Sequence, residues 1–229
     1  MLVRFLDRYL FLLVHLKGLI THGFSRRAYG QWAEDLLIAG MVFGKSGTYV
    51  DVGAFHPMHY SNTYLLYKRG WSGVVIDPNP SARALFRLHR SRDVFMQVGV
   101  GASAPQQPYY VFNHQSCNTF SEAHRDRMLE RSFMRQIDTI QVDIEPLATL
   151  LERAQVTAVD VLNIDVEGMN LAVLESNDWT RVVPKLICVE DDDLHIGSVA
   201  VESPIHTYLA EKGYTLRALV GQSSLYTHD

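Results

Sequence analysis

"SGTYVDVGAFHPMHYSNTYLLYKRGWSGVVIDPNP", residues 46–80, decides the fold of this chain. Its β-rich opening, 48–52, carries an acid, Asp51, near the end and is closed by Gly53, as a buried strand running into a tight turn would be. A helix is expected over 60–70, stopped by Gly70. A second strand follows over 72–78, ending in Asp77 and Pro78. Strand, helix and strand in so short a span form one unit of a parallel sheet.

The turn resembles a dinucleotide site and then departs from it. After Gly53 the second and third glycines of that fingerprint are absent, and His56, Pro57, Met58 and His59 stand in their place. Little room is left for a pyrophosphate against the helix N-terminus, and Asp51 adds negative charge where it would lie. Asp77 nevertheless comes 24 positions after Gly53 (53 to 77), near the distance at which an acid accepts hydrogen bonds from a ribose diol. Its plainer reading is a turn residue before Pro78. A single glycine lets a ligand approach the backbone, and a phosphate-free nucleoside bearing positive charge suits such a turn. S-adenosylmethionine is the cofactor expected from this pattern. A phosphate loop at 43–48 is rejected: Ala39 stands where that motif needs glycine, and the stretch precedes its strand.

Working outward, strand and helix signals alternate: helix 80–90, strand 93–101, a short extra strand 109–113, a polar loop 113–122, a charged helix 121–134 and a strand 138–144. Then come helix 145–154 with Pro146 near its start, strand 158–168, helix 168–176, strand 184–193, and a tail reading helix, strand, strand with a hairpin at 221–224. The fold class is therefore α/β, a mostly parallel twisted sheet with helices on both faces. Residues 46–229 form one domain, preceded by an N-terminal helical extension, 1–45. Asp51, Asp77, Asp165 and Glu190 all lie near carboxyl ends of expected strands, the edge where open parallel sheets bind ligands.

With 229 residues, 47% hydrophobic and 20% charged, the chain suits one soluble domain, and its net charge of −4 argues against nucleic-acid partners. Cys117 and Cys188 form no CxxC pair and fit a reducing cytosol, with Cys188 a buried structural thiol. The longest stretch free of Asp, Glu, Lys and Arg near the N-terminus is eight residues (9–16), far short of the roughly 20 that span a bilayer. The apolar residues of 1–20 fall broadly on one helical side. A helix packed on the domain is the preferred reading; the alternative is a peripheral anchor, with Arg4, Arg8 and Lys17 facing lipid headgroups. The expected location is cytoplasmic, with attachment at the inner membrane face as the alternative.

Asp165, Glu167 and Gly168 make up "IDVEG", two carboxylates and a glycine opening a helix. Helix capping explains one acid there better than both. Together, GW-x-G (residues 70–73), IDPNP (76–80) and IDVEG (164–168), in this order, resemble the FkbM family of methyltransferases, over roughly residues 29–191. The resemblance implies a Rossmann-like class I methyltransferase fold and S-adenosylmethionine-dependent O-methylation of a hydroxyl, often on a sugar of a glycan, glycolipid or natural product. By the same resemblance Asp51, Gly53 and Ala54 match the cofactor loop, Ser61, Asn62 and Thr63 its SNT segment, and Asp77 the ribose acid. Asp165, Glu167 and Gly168 match the D-x-E-G motif at the cofactor-facing edge, and Gln31, Glu34 and Asp35 match a Q-x-x-E-D stretch. Asn170 stands where an acid is more frequent.

Methyl transfer to an alcohol needs positioning and a base. Asp165 is expected to position, and Glu167 or His56 to take the proton; His59 is a further candidate beside the loop. A magnesium or calcium site recruiting His56, His59, Asp165, Glu167 or the acidic run 190–195 is less favoured than a metal-free site. Tyr60, Tyr64, Trp71, Tyr109 and Tyr110 are candidates for stacking on sugars, with packing the plainer role, and loop 113–122 is a candidate lid or acceptor wall. The expected partner is a small-molecule or glycan hydroxyl acceptor. Two other classes compete: a non-catalytic methyltransferase-like module in a glycan-synthesis assembly, against which the acids at the strand ends speak, and a nicotinamide oxidoreductase, disfavoured by the missing glycines.

Overall fold

Strand β1 (Thr48–Val52) is buried along almost its whole length, which marks a strand covered on both faces. Val50 and Val52 pack into one apolar cluster and Tyr49 into another. The same period-2 division holds in β2 (Ser72–Ile76), β7 (Val161–Ile164) and β8 (Leu186–Glu190). The computed structural model describes residues 27–191, 193–194 and 203–228. The helix expected over 1–20 lies outside them.

Helices close both faces. On one side α5 (Leu147–Arg153), α6 (Asn170–Glu175) and α7 (Pro204–Glu211) bring Leu147, Leu150, Val173 and Leu209 to the cluster of Val50 and Leu162. On the other, α1 (Glu34–Met41), α2 (Tyr64–Lys68) and α3 (Ala82–His89) bring Ile38, Leu66 and Phe86 to Tyr49 and Val75. Among the described residues no helix is long and apolar enough to cross a membrane.

The seven-stranded sheet runs β3-β2-β1-β7-β8-β10-β9, with β3 (Val94–Met96), β9 (Tyr214–Val220) and β10 (Ser223–His228). Strands β3, β2, β1, β7 and β8 are parallel, while β10 is antiparallel to both β8 and β9. The chain thus runs outward from β1 to β3 and returns to β1's other side as β7. At such a reversal the loops leave the carboxyl edge in opposite directions and open a crevice.

The strand expected over 93–101 is two. β3 stays beside β2, whereas β4 (Gly99–Val100) leaves to pair with β6 (Gln136–Glu145) in a separate sheet ordered β4-β6-β5. Here β5 (Ala104–Phe112) is nine residues long, and the short strand expected at 109–113 is only its second half. Pro105, Gln106, Gln107 and Pro108 hide the first half from a reading by strand propensity. Helix α2 starts at Tyr64, later than expected, and Tyr60, where the helix was expected to begin, holds a left-handed φ of 54°. Helix α4 (Glu122–Leu129) begins at Ser121, whose hydroxyl accepts the His124 N–H.

Candidate active site

The carboxyl ends of β1, β2 and β7 meet at Gly53, Asp77 and Asp165. Gly53 and Ala54 both donate their N–H groups to the Ile76 carbonyl, at 2.9 and 3.2 Å, binding the β1 turn to the end of β2. Asp77 fastens the next step: Oδ2 accepts the Phe55 N–H at 2.7 Å and Oδ1 the Asn79 N–H at 2.8 Å. Burial pushes the Asp77 pKa up to about 6, with the Asp51 charge adding to the rise, against the pull of those two N–H groups. A carboxylate has about four acceptor positions, so one remains on each oxygen beyond these bonds, the pattern a vicinal diol satisfies.

Gly53 is there for a reason other than ligand approach. Its φ is +79°, and a Cβ on it would stand 1.7 Å from the Asp165 carbonyl oxygen. The glycine admits the end of β7, and so brings Asp165 beside the β1 turn.

Asp77, Asp165 and Glu167 line one cleft together with Gly53. Val98 and Val100 supply apolar wall, and among the described residues no lysine or arginine lines it. The loop expected at 113–122 forms the roof: Gln115, Asn118, Thr119 and Phe120 all face this cleft. Gln115 accepts a hydrogen bond from Asn79 at 2.9 Å, and the Thr119 hydroxyl donates to the Glu167 carbonyl at 2.8 Å. The second sheet, absent from the sequence reading, carries this roof on β5 through a two-way backbone bridge between Tyr110 and Thr119.

Other expected site residues gather beneath the cleft, outside its lining. Asp51 accepts hydrogen bonds from the Thr63 hydroxyl at 2.5 Å and from Asn163 at 2.9 Å, with Arg90 at 3.8 Å. Arg90 is 1% exposed; it also donates to Thr63 and Ser61 and pairs with Asp93 at 2.6 Å. Asn62 donates to Asn163 at 3.0 Å. Asp51, Ser61, Asn62 and Thr63 therefore meet one another around a buried guanidinium, and Ala54 packs in the core. Burial raises the Asp51 pKa, and Arg90 opposes that rise. Arg90 and Asn163 were missed: one reads as the end of a charged helix and the other as a strand interior.

His56 faces a neighbouring cavity. Its Nδ1 accepts the N–H groups of Met58 and His59 at 3.1 and 3.0 Å, and burial lowers its pKa, with His59 and His89 adding to the shift. The neutral ring then carries its proton on Nε2, and its basic nitrogen is occupied by its own turn. This arrangement leaves the acceptor nitrogen of His56 engaged by its own turn, and His56 is outside the lining of the cleft that holds Asp77 and Asp165. Glu34 and Asp35 are likewise buried: they accept the N–H groups of Trp32 and Tyr29 at 2.8 and 2.9 Å, closing the turn before α1. Asn170 accepts the Val166 N–H at 2.9 Å. Glu190 is not among the residues lining the cleft.

Among the described residues no three His, Cys, Asp or Glu side chains come together as a metal-binding group; Asp192 and His195 of the acidic run lie outside the described residues. A family model described as "Methyltransferase FkbM domain" matches residues 51–216. A search of curated proteins finds no match.

Proposed function

The chain belongs to the FkbM methyltransferase family, and from that premise we propose that it is an S-adenosylmethionine-dependent O-methyltransferase acting on a hydroxyl, with a sugar of a glycan, glycolipid or natural product as acceptor. The observation that carries this reading is the cleft at the reversal of strand order, lined by Asp77, Asp165 and Glu167 and, among the described residues, by no lysine or arginine. Such a wall suits a cationic, phosphate-free nucleoside and repels a diphosphate. The strand order, with its antiparallel β10, supports the Rossmann-like class I arrangement.

Asp77 would hold the ribose diol, using the acceptor positions left beyond the Phe55 and Asn79 bonds. Asp165, beside the β1 turn, would position the cationic end. When bound, S-adenosylmethionine supplies a methyl group activated on a sulfonium. The chain's own task is to orient the acceptor in line with that methyl and to remove the hydroxyl proton as attack proceeds. Glu167 takes that proton in this reading, since His56 has its basic nitrogen turned away. The roof on the second sheet covers the cleft with Gln115, Asn118, Thr119 and Phe120.

Calorimetry with S-adenosylmethionine and S-adenosylhomocysteine tests the reading, followed by release of S-adenosylhomocysteine in the presence of a glycan mixture. Binding and release are both expected. Failure to bind either compound removes the cofactor assignment, and binding without release favours the non-catalytic module.

A further inference from the structure

Glu167 sits at φ +47° and is followed by Gly168 at φ +91°. A non-glycine residue keeps such a backbone only when its surroundings hold it there. Two roof residues do so. Thr119 fixes the main chain through the 2.8 Å bond to the Glu167 carbonyl. His124 reaches the side chain, with its buried Nε2 3.2 Å from Glu167 Oε2, within ion-pair distance but not aligned as a hydrogen bond in this structure.

The capping of α4 by Ser121 sets His124 in the helix's first turn, facing Gly168; its Cβ lies 3.6 Å from where a side chain on that glycine would begin. On the other side of the ring, Arg127 brings a guanidinium nitrogen to 3.4 Å from His124 Nδ1. A guanidinium only donates hydrogen bonds, so Nδ1 is the acceptor, and the neutral ring carries its proton on Nε2, toward Glu167.

We infer that His124 is a positioning residue, held by Arg127 in the tautomer that presents Nε2–H to Glu167, and that it fixes the carboxylate at the cleft wall. This rests on the methyltransferase reading of the cleft. The acceptor's proton passes to Glu167, and His124 exchanges none; it acts only through the carboxylate it holds.

The test uses the full chain and the variants His124→Leu, His124→Gln, Glu167→Gln and the double variant His124→Leu/Glu167→Gln. His124→Leu is expected to lower kcat by about 10- to 100-fold, less than a base itself supplies, with S-adenosylmethionine affinity within about threefold. His124→Gln, whose amide N–H replaces Nε2–H, is expected to recover kcat to within about fivefold of wild type. The double variant is expected to be no slower than Glu167→Gln alone, because the two residues act as a unit. Without ligand, the His124 ring-nitrogen resonances are expected to report the Nε2-protonated tautomer and to shift in Glu167→Gln. An unchanged kcat in His124→Leu overturns the inference, as does a double variant slowed by the product of the single effects. Should His124→Leu fail to fold, the resonances decide: an Nδ1-protonated ring overturns the inference. If the wild type binds neither S-adenosylmethionine nor S-adenosylhomocysteine, the methyltransferase reading falls and this role with it; the resonances then show separately whether the contact exists.

Discussion

Gly53 and Asp165 touch through the backbone: a Cβ on the glycine would lie 1.7 Å from the aspartate's carbonyl oxygen, at a φ of +79°. Gly53→Ala therefore meets both a clash and a strained conformation, each costing about 1–3 kcal/mol. The expected result is a fall in melting temperature of roughly 4–20 °C and a loss of cofactor affinity, read by calorimetry. Gly40→Ala is the control: among the described residues nothing lies within 4 Å of its added Cβ, and it stands inside α1. It should stabilise by about 0.5–1 kcal/mol; equal melting shifts in the two variants would refute the contact argument.

Burial pushes the Asp77 pKa up to about 6 in the fold, from an ordinary value of 3.8. Between these values the native state binds the extra proton, so the Asp77 contribution to stability is full below pH 3.8 and is lost as pH rises through about 6. Ribose hydroxyls that donate to the carboxylate favour its charged form. Cofactor affinity should therefore rise with pH through about 6, with proton release seen as buffer-dependent enthalpies. Asp77→Ala should weaken binding by roughly 1–3 kcal/mol. Affinity that stays flat from acid to neutral pH, or is unchanged in the variant, removes the ribose role.

Arg90→Met leaves the Asp93 and Asp51 carboxylates buried without their cation. Removing one partner of a buried pair costs about 3–5 kcal/mol, and urea unfolding should show a loss of that order. Asp51→Asn is expected to affect unfolding more than cofactor affinity, and Asp77→Ala the reverse. If Asp51→Asn instead abolished binding in a protein of normal stability, Asp51 would have to reach the ligand.

Asp165→Asn and Glu167→Gln keep side-chain volume and are expected to leave thermal melting within a few degrees of wild type. Turnover, followed as S-adenosylhomocysteine release, should fall by about 10²–10⁴ in the Glu167 variant if it is the base. Asp165→Asn should also lower turnover. Full activity in either variant rules out its assigned role.

Four central strands were legible because each is buried on both faces and alternates between two clusters, a pattern local to five residues or so. The edge location of Asp77 and Asp165 followed from those strands. Loop 113–122 was legible as a wall but not the sheet that carries it, since β5 opens with prolines and glutamines and β6 is largely exposed. His124 lies in a helix of charged residues where no apolar spacing singles it out. The buried network around Asp51 was not legible, because its partners Thr63 and Asn163 lie 12 and 112 positions away.

The amino-acid order alone determined the central strands of the large sheet, which edge carries the acids, and to which family the chain is similar, because periodicity, turn residues and motif spacing are properties of neighbours along the chain. Only the tertiary structure decided which acids share the cleft, that Arg90 sits beneath it, and that the roof grips Glu167. Burial and pairing depend on which distant segment packs alongside, and no local pattern encodes that choice.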